Sequence, residues 1–475
     1  MTIDCSNFYI NGKWFKPAQR DTHKVVNPAT EQVYAKISLG HSSDVDAAVI
    51  AAREAFPAWS QTTVAQRIEI LDKIIAGIKA RAEELAVAIS SEMGAPISFA
   101  RTAQVGTGIA HFTTARELLR EFEFEQDRGK SRIVKEPIGV CGFITPWNWP
   151  LNQVSCKIAP ALAAGCTIVI KPSEMSPVSA YILSEIIADA GVPAGVYNLV
   201  NGDGPIVGAA ISAHPEIDLV SFTGSTRAGR EVSKAAANSI KKVTLELGGK
   251  SANIILDDAD FTRAVTGGVM SCFSNSGQSC NAPTRMLVPE TRIEEVIEIA
   301  KAAAAKALVG DPSQDNTRLG PVVSKAQYER IQSLIEKGIE EGASVIAGGP
   351  GKPEGLETGF YVKPTIFAHA NNQMTIAREE IFGPVLTILT YKDEADAVTQ
   401  ANDSHYGLSG YVSGEPEHAQ QIALRLRTGM VHINGAAPDF SAPFGGYKQS
   451  GNGREWGIEG FEEFFETKAI LGYNA

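Results

Sequence analysis

Between residues 140 and 246 the apolar positions alternate between two rhythms. The unbroken apolar run at 140–144 and the short, mostly apolar segments at 166–171, 195–200 and 218–223 predict buried strands. The segments 155–164, 177–190 and 226–237 between them repeat apolar residues at helical spacing and predict helices. Such alternation predicts a parallel sheet covered by helices, in the manner of a dinucleotide-binding fold. Upstream, 44–59 and 64–94 carry helical periodicity, with Gly94 as the stop, so the amino-terminal quarter is expected to be largely helical. A second alternating region starts at "SANIILDD" and continues through "TRMLVP", a long helix near 324–341 and "GPVLTILTY". It predicts a second α/β domain, joined to the first around "ELGGKS" at 246–251, where paired glycines follow a strand.

Two segments fit neither domain. "FEFEQDRGKSRIVKEPI" (122–138) alternates like an exposed hairpin, and "FEEFFETKAILGYNA" ends in a short apolar strand. Both are candidates for pairing with the sheet edge of another subunit.

A length of 475 residues calls for two to three domains, and 44% hydrophobic with 20% charged residues is an ordinary globular composition. The net charge of -11 favours solubility and argues against a nucleic-acid surface. Eighteen apolar residues never run together and the amino terminus lacks a leader pattern, so no membrane partner and a cytoplasmic location are expected. The six cysteines form no CxxC pair, and no histidine stands at metal-motif spacing to one, so no metal is expected.

The candidate chemistry lies on loops. In "VCGFITPWNWP" the run 140–144 is halted by Pro146 and Pro150, which leaves Asn148 on the loop at the strand's carboxyl end, where open α/β sheets bind ligands. The competing reading is a turn asparagine serving its own backbone. Cys280, in the small-residue stretch "SNSGQSCNAPTR", is either a nucleophile approached by substrate or an inert thiol. Glu246 ends a strand before two glycines, as a general base for water or as a strand-end charge paired with Lys241 or Lys242. "FTGSTRAGREV" turns from a strand into a helix through Gly224 and Ser225, a place for phosphate. "IVIKPSEMSP" leaves Lys171 and Glu174 on an exit loop, suited to ribose hydroxyls or to a solvated turn capped by Ser173.

Taken in order, "TPWNWP", "KPSE", "FTGST", "LELGGKS", "GQSC", "EEIFGPV" and "PFGGYKQSGNGRE", with Glu246 and Cys280 34 positions apart, resemble the aldehyde dehydrogenase superfamily over nearly the whole length. The resemblance implies a Rossmann-like NAD(P)-binding domain (1–121 and 139–246), a catalytic domain (247–445) and a small β oligomerisation arm (122–138 and 460–475). It implies oxidation of an aldehyde to a carboxylic acid through a thiohemiacetal and thioester on Cys280. Asn148 is then an oxyanion donor and Glu246 the base that activates water, with Lys157 and Glu455 relaying its proton. The cofactor contacts it implies are Ile144, Thr145, Pro146, Trp147, Lys171, Ser173, Glu174, Gly204, Phe222, Thr223, Gly224, Ser225, Leu247, Glu380 and Phe382. Glu174 tilts the cofactor toward NAD, with NADP the alternative. The aldehyde pocket would include Asn152, Cys156, Ser279, Asn281 and Phe444, more polar than an aromatic collar and so suited to a polar aldehyde or semialdehyde. A homodimer or homotetramer is expected. The rival readings are a coenzyme A-acylating member of the superfamily, a cysteine-dependent amidase or esterase, and an idle scaffold.

Overall fold

The computed structural model describes residues 2–474. Five parallel strands form the heart of an eight-stranded sheet, in the order Lys242–Glu246, Leu219–Thr223, Val140–Ile144, Thr167–Lys171, Tyr197–Leu199. Strands Val140–Ile144, Thr167–Lys171 and Leu219–Thr223 are buried throughout, which explains why they are mostly apolar without a polar face: helices cover both faces. One face packs on the helices Val64–Ala80, Ala82–Met93, Val105–Glu121, Pro150–Ala164 and Val178–Asp189, the other on Ser42–Trp59 and Thr226–Ala236. Chain order reverses between Val140–Ile144 and Leu219–Thr223, so a crevice opens there at the strands' carboxyl ends.

A seven-stranded sheet follows, built from Ala252–Ile255, Arg285–Pro289, Ser344–Ala347, Thr365–Ala370, Val385–Tyr391, Ser409–Ser413 and Met430–Ile433. All its pairings are parallel except that of Ser344–Ala347. The chain then returns to the first sheet, where Gly451–Asn452 pairs with the end of Lys242–Glu246. Among the described residues no helix is long and apolar enough to cross a membrane.

The structure corrects four expectations. The amino-terminal quarter opens with five strands between Ile3 and Ser38, of which Phe8–Ile10 and Lys13–Phe15 extend the first sheet. Strands of three residues are too short to display a period. The helical stretch 64–94 is two helices that turn at Arg81 (φ −107°, ψ 21°). The helix expected near 155 starts at Pro150, because the first helical position needs no backbone N–H. Finally, Phe465–Ile470 pairs antiparallel with Ser131–Pro137 of its own chain, from Phe465 opposite Pro137 to Ile470 opposite Arg132, and Glu125–Arg128 completes that three-stranded sheet.

Gly94 ends its helix at φ +85°, and a Cβ there would stand 2.7 Å from the carbonyl oxygen of Pro321. Gly94→Ala therefore combines left-handed strain with a clash against rigid backbone, and should cost about 2 kcal/mol. A lowered urea midpoint checks this; an unchanged midpoint would show that the loop around Pro321 yields.

Candidate active site

The crevice is a cleft of about 550 Å³ shared by both sheets. From the first come Pro146, Trp147, Asn148, Thr223, Gly224 and Ser225. Glu246 and Leu247 line it from the strand that leads into the second sheet, which adds Cys280, Glu380 and Phe382. Residues scattered over the sequence thus face one space.

Cys280 follows an abrupt turn in which Asn275 and Ser276 adopt φ of +53° and +55°, left-handed values held by the surrounding contacts. Asn275 Nδ2 donates to the carbonyl of Asn148 at 2.9 Å, and Gln104 Nε2 donates to the same oxygen at 3.3 Å. In return Asn148 Nδ2 donates to the carbonyl of Gln278 at 2.9 Å. Gln278 is itself fixed, its Oε1 accepting from Val323 N at 2.9 Å. Asn148 is 3% exposed, so this is a buried bridge between sheets rather than a turn serving its own backbone. Only glycine fits at 249, where a Cβ would lie 2.2 Å from the Cys280 carbonyl oxygen.

Glu246 is 3% exposed and neither carboxylate oxygen has a hydrogen-bond partner. The ion-pair alternative fails, because Lys242 pairs with Glu463 at 2.7 Å and Lys241 donates to the carbonyl of His214. Burial, reinforced by the nearby Glu455, holds the Glu246 carboxyl well above the ordinary range. Behind it Lys157 contacts Glu455 and donates to Thr223 Oγ1 at 2.8 Å and Ser221 Oγ at 3.1 Å. Burial opposes the Lys157 charge, but Glu455 outweighs it and its pKa is raised. The Cys280 thiol is half-buried and is pushed up by burial and by the carboxylates of Glu380, Glu246 and Glu455. It therefore rests as a thiol.

On the cofactor side, Ser225 caps the helix Thr226–Ala236, its Oγ accepting from Ala228 N at 3.3 Å. Glu380 Oε1 accepts from Gly249 N at 3.0 Å, and burial lifts its carboxyl to about 7. Phe382 has a left-handed φ of +59° and meets Trp147 edge-on, ring centroids 5.3 Å apart. Gln327 and Arg330 clamp this loop by donating to the carbonyls of Phe382 (2.9 Å) and Glu380 (3.0 Å).

Ile144, Thr145, Lys171, Ser173, Glu174, Gly204 and Phe222 do not line the cleft. They follow the carboxyl edge of the sheet outward, Gly204 lying beyond the last parallel strand. Lys171 pairs with Glu174 at 3.0 Å and also donates to the carbonyl of Gly202 at 2.8 Å. Burial works against the Glu174 charge, but Lys171 prevails and holds it below the ordinary carboxylate value. Ser173 Oγ accepts from Met175 N at 3.2 Å; it caps the turn and not the helix, which starts at Val178.

Of the aldehyde-side candidates, Asn152 bonds His111, Ser279 Oγ accepts from Trp149 Nε1 at 2.8 Å, and the Asn281 carbonyl accepts from Tyr411 OH at 2.9 Å. Cys156 Sγ lies 3.4 Å from Glu455 Oε2, and Phe444 exchanges two backbone hydrogen bonds with Glu455. Phe444 packs tilted against Trp456 (4.6 Å), and Phe440 does the same (4.9 Å). This wall is more aromatic than the five sequence positions indicate.

Sequence reasoning missed Gln104, Asn275, Gln278, Gln327, Arg330 and the aromatic neighbours. "GQSC" displayed Gln278, but a buried glutamine whose side-chain oxygen accepts from a distant backbone N–H leaves no local pattern.

A parallel sheet with a crevice at its switch point, faced by a cysteine and a buried carboxylate, defines an α/β protein with a candidate thiol nucleophile and a candidate base. The family model described as the aldehyde dehydrogenase family matches residues 14–470. The chain is 57% identical over 472 residues to a 3-succinoylsemialdehyde-pyridine dehydrogenase from a Pseudomonas species, covering 99% of each. It resembles the crystal structure of a mutant aldehyde dehydrogenase C from Pseudomonas syringae in complex with NAD+ and octanal: TM-score 0.98, 53% identity, 98% of this chain and 97% of that one. A Mycobacterium tuberculosis aldehyde dehydrogenase complexed with NAD+ gives a TM-score of 0.97 at 40% identity, covering 99% of each chain. The chain belongs to the aldehyde dehydrogenase family, and it is an NAD-linked oxidoreductase.

The raised thiol makes a pH prediction. The thiolate is the reactive form, so alkylation of Cys280 by uncharged iodoacetamide should keep accelerating with pH above 8.5, the ordinary thiol value. A plateau below that value would mean that the thiolate is stabilised in the free enzyme.

Proposed function

We propose that the chain oxidises an aldehyde to a carboxylic acid with NAD+ as acceptor, and that Asn148, Glu246 and Cys280 carry the chemistry. The observation behind this reading is that all three face one cleft at the switch point of the sheet. Residues 1–121 and 139–246 would bind the cofactor, 247–445 would supply the nucleophile, and 122–138 with 460–475 would form the oligomerisation arm.

The cleft suits a dinucleotide. Its wall at Ser225 opens the 11-residue helix Thr226–Ala236, whose first backbone N–H groups favour a pyrophosphate. Lys171 and Glu174 would meet the adenosine ribose, and the carboxylate there disfavours the extra phosphate of NADP. Glu380 and Phe382 would hold the nicotinamide end. When bound, the cofactor supplies the hydride acceptor.

Glu246, ionised, would take the proton of Cys280 Sγ and pass it toward Glu455 and Lys157; the thiolate attacks the carbonyl carbon and places negative charge on the carbonyl oxygen. Asn148 Nδ2 and the Cys280 backbone N–H are the donors for that charge, and one such donor is worth about 3 to 4 kcal/mol. Asn148 Nδ2 carries two N–H groups: one is held by the Gln278 carbonyl, and the other is left to serve. Loss of hydride from the carbon leaves a thioester on Cys280. Glu246, ionised, takes a proton from water, and the hydroxide displaces Cys280 to release the acid. The proton then has a route through Glu455 and Lys157, which contact one another behind Glu246. A coenzyme A-acylating reaction would leave this base without a task.

The six unpaired cysteines suit a reducing compartment such as the cytoplasm. The outer edges of the arm sheet, Glu125–Arg128 and Phe465–Ile470, would pair with another subunit to form a dimer or tetramer. Light scattering of the purified protein should give a multiple of the chain mass; a monomer mass would exclude this.

Cys280→Ala should abolish oxidation while NAD still binds. Glu246→Gln should give a burst of NADH followed by a steady state at least 100-fold slower, on the order expected when a general base is removed. Burst and steady state lost in equal measure would remove Glu246 from the hydrolytic step.

A further inference from the structure

Two consecutive residues of the helix Pro150–Ala164 grip the Glu455 carboxylate. Side chains of consecutive helical residues diverge by about 100°, so Cys156 and Lys157 reach different oxygens of the one group. Lys157 Nζ contacts Oε1, and Cys156 Sγ lies 3.4 Å from Oε2. The backbone of Glu455 is fixed as well: Phe444 N donates to its carbonyl at 2.7 Å, and Glu455 N donates to that of Phe444 at 2.8 Å. Next in the chain, Trp456 adopts φ +63° and ψ 166°, a region otherwise left to glycine. Its ring packs against Phe440 and Phe444, with centroids 4.9 and 4.6 Å away. Strain of that kind persists only where the surroundings over-determine it. The frame adjoins the proposed base, because at Gly445, next to Phe444, a Cβ would stand 2.7 Å from Glu246 Oε1.

Cys156 is suited to donate. It and Glu455 are both more than nine-tenths buried. Burial first, and the charge of Glu455 second, raise the thiol well above its ordinary value against the pull of Lys157, so the sulfur keeps its hydrogen. Two acceptors stand at 3.4 Å from it, the Gln153 carbonyl and Glu455 Oε2. The carboxylate is the stronger of the two, because a charged partner strengthens a hydrogen bond. Lys157 directs its other hydrogens to Thr223 Oγ1 and Ser221 Oγ. Among the described residues the thiol is the one hydrogen-bond donor on Oε2.

We propose that Cys156 is a positioning residue for proton transfer: its S–H donates to Glu455 Oε2 and, with Lys157 on Oε1, fixes the plane of the carboxylate that receives the proton from Glu246. The inference rests on the relay through Glu455 proposed above. In hydrolysis, the O–H bond formed when Glu246 takes a proton from water is broken and one is formed on Glu455. A carboxylate free to swing on its side chain would present an oxygen to that proton in only a fraction of its orientations, and the transfer slows in proportion.

The test reads the decay of the acyl-enzyme formed from octanal and NAD, by protein mass after acid quench. The NADH burst counts the competent sites, so a loss of folded protein does not enter the rate. Cys156→Ala should slow the decay about tenfold, the scale of one net hydrogen bond, and Cys156→Ser, which restores a donor, should return it to within about twofold of the wild type. In a Glu455→Gln background Cys156→Ala should add nothing further, because the acceptor is already altered. A second readout needs no turnover: the S–H stretching band in the infrared that Cys156→Ala removes should shift when Glu455→Gln takes the charged acceptor away. Decay of Cys156→Ala at the wild-type rate, full additivity with Glu455→Gln, a serine variant as slow as the alanine one, or an unmoved S–H band overturns the proposal. In each of those cases the relay itself stands if Glu455→Gln slows the decay. If Glu455→Gln leaves the decay unchanged, the relay and the role of Cys156 fall together.

Discussion

The hydrogen bond from Asn148 Nδ2 to the Gln278 carbonyl spans 130 positions and joins loops of two different sheets. The candidate site depends on it, because the proposed oxyanion donor and the proposed nucleophile belong to separate layers with separate cores. Asn275 and Gln104 hold the Asn148 carbonyl from the other side, so the loop is fixed at both its side chain and its backbone. Gln104 ends the short π-helical turn Ala100–Gln104, a distortion that recurs where a helix serves a function. It brings a buried amide to a carbonyl that regular helix geometry would leave to others.

Charge is the second constraint. Glu246, Glu380 and Glu455 surround Cys280, and each carboxylate opposes the thiolate. Burial in turn opposes the charges on Glu246 and Glu380. Such a site favours protonated resting forms of both nucleophile and base, and reserves ionisation for the occupied state. Lys157 is the local exception: burial opposes its charge, but the contact with Glu455 raises its pKa, and the hydroxyls of Ser221 and Thr223 accept its remaining hydrogens.

The aromatic wall beside Glu246 shows how one chain can give two different surfaces around a single sulfur atom. Toward the cleft, the small residues Thr223, Gly224, Ser225 and Gly248 let backbone approach a ligand, between Trp147 and Phe382 and the carboxylates of Glu246 and Glu380. Toward Phe444 and Trp456 it is ring against ring, with His111 and Asn152 as polar points. The two surfaces meet where Gly445 abuts Glu246.

The sequence by itself determined the strands from 140 to 246, because strands buried on both faces are predominantly apolar on both, and their order implied the crevice. It also displayed Asn148, Glu246 and Cys280, since prolines, paired glycines and small residues mark where regular structure stops. Tertiary structure alone decided what those residues touch. No local pattern couples Gln104 to Asn148 or His111 to Asn152, because such bonds close only when distant helices pack. The three-residue amino-terminal strands escaped for the same reason: a strand that short is held by its neighbours in the sheet and not by its own periodicity. The pairing of Phe465–Ile470 with Ser131–Pro137 likewise depends on where the fold brings two distant segments, and strand propensity cannot name a partner.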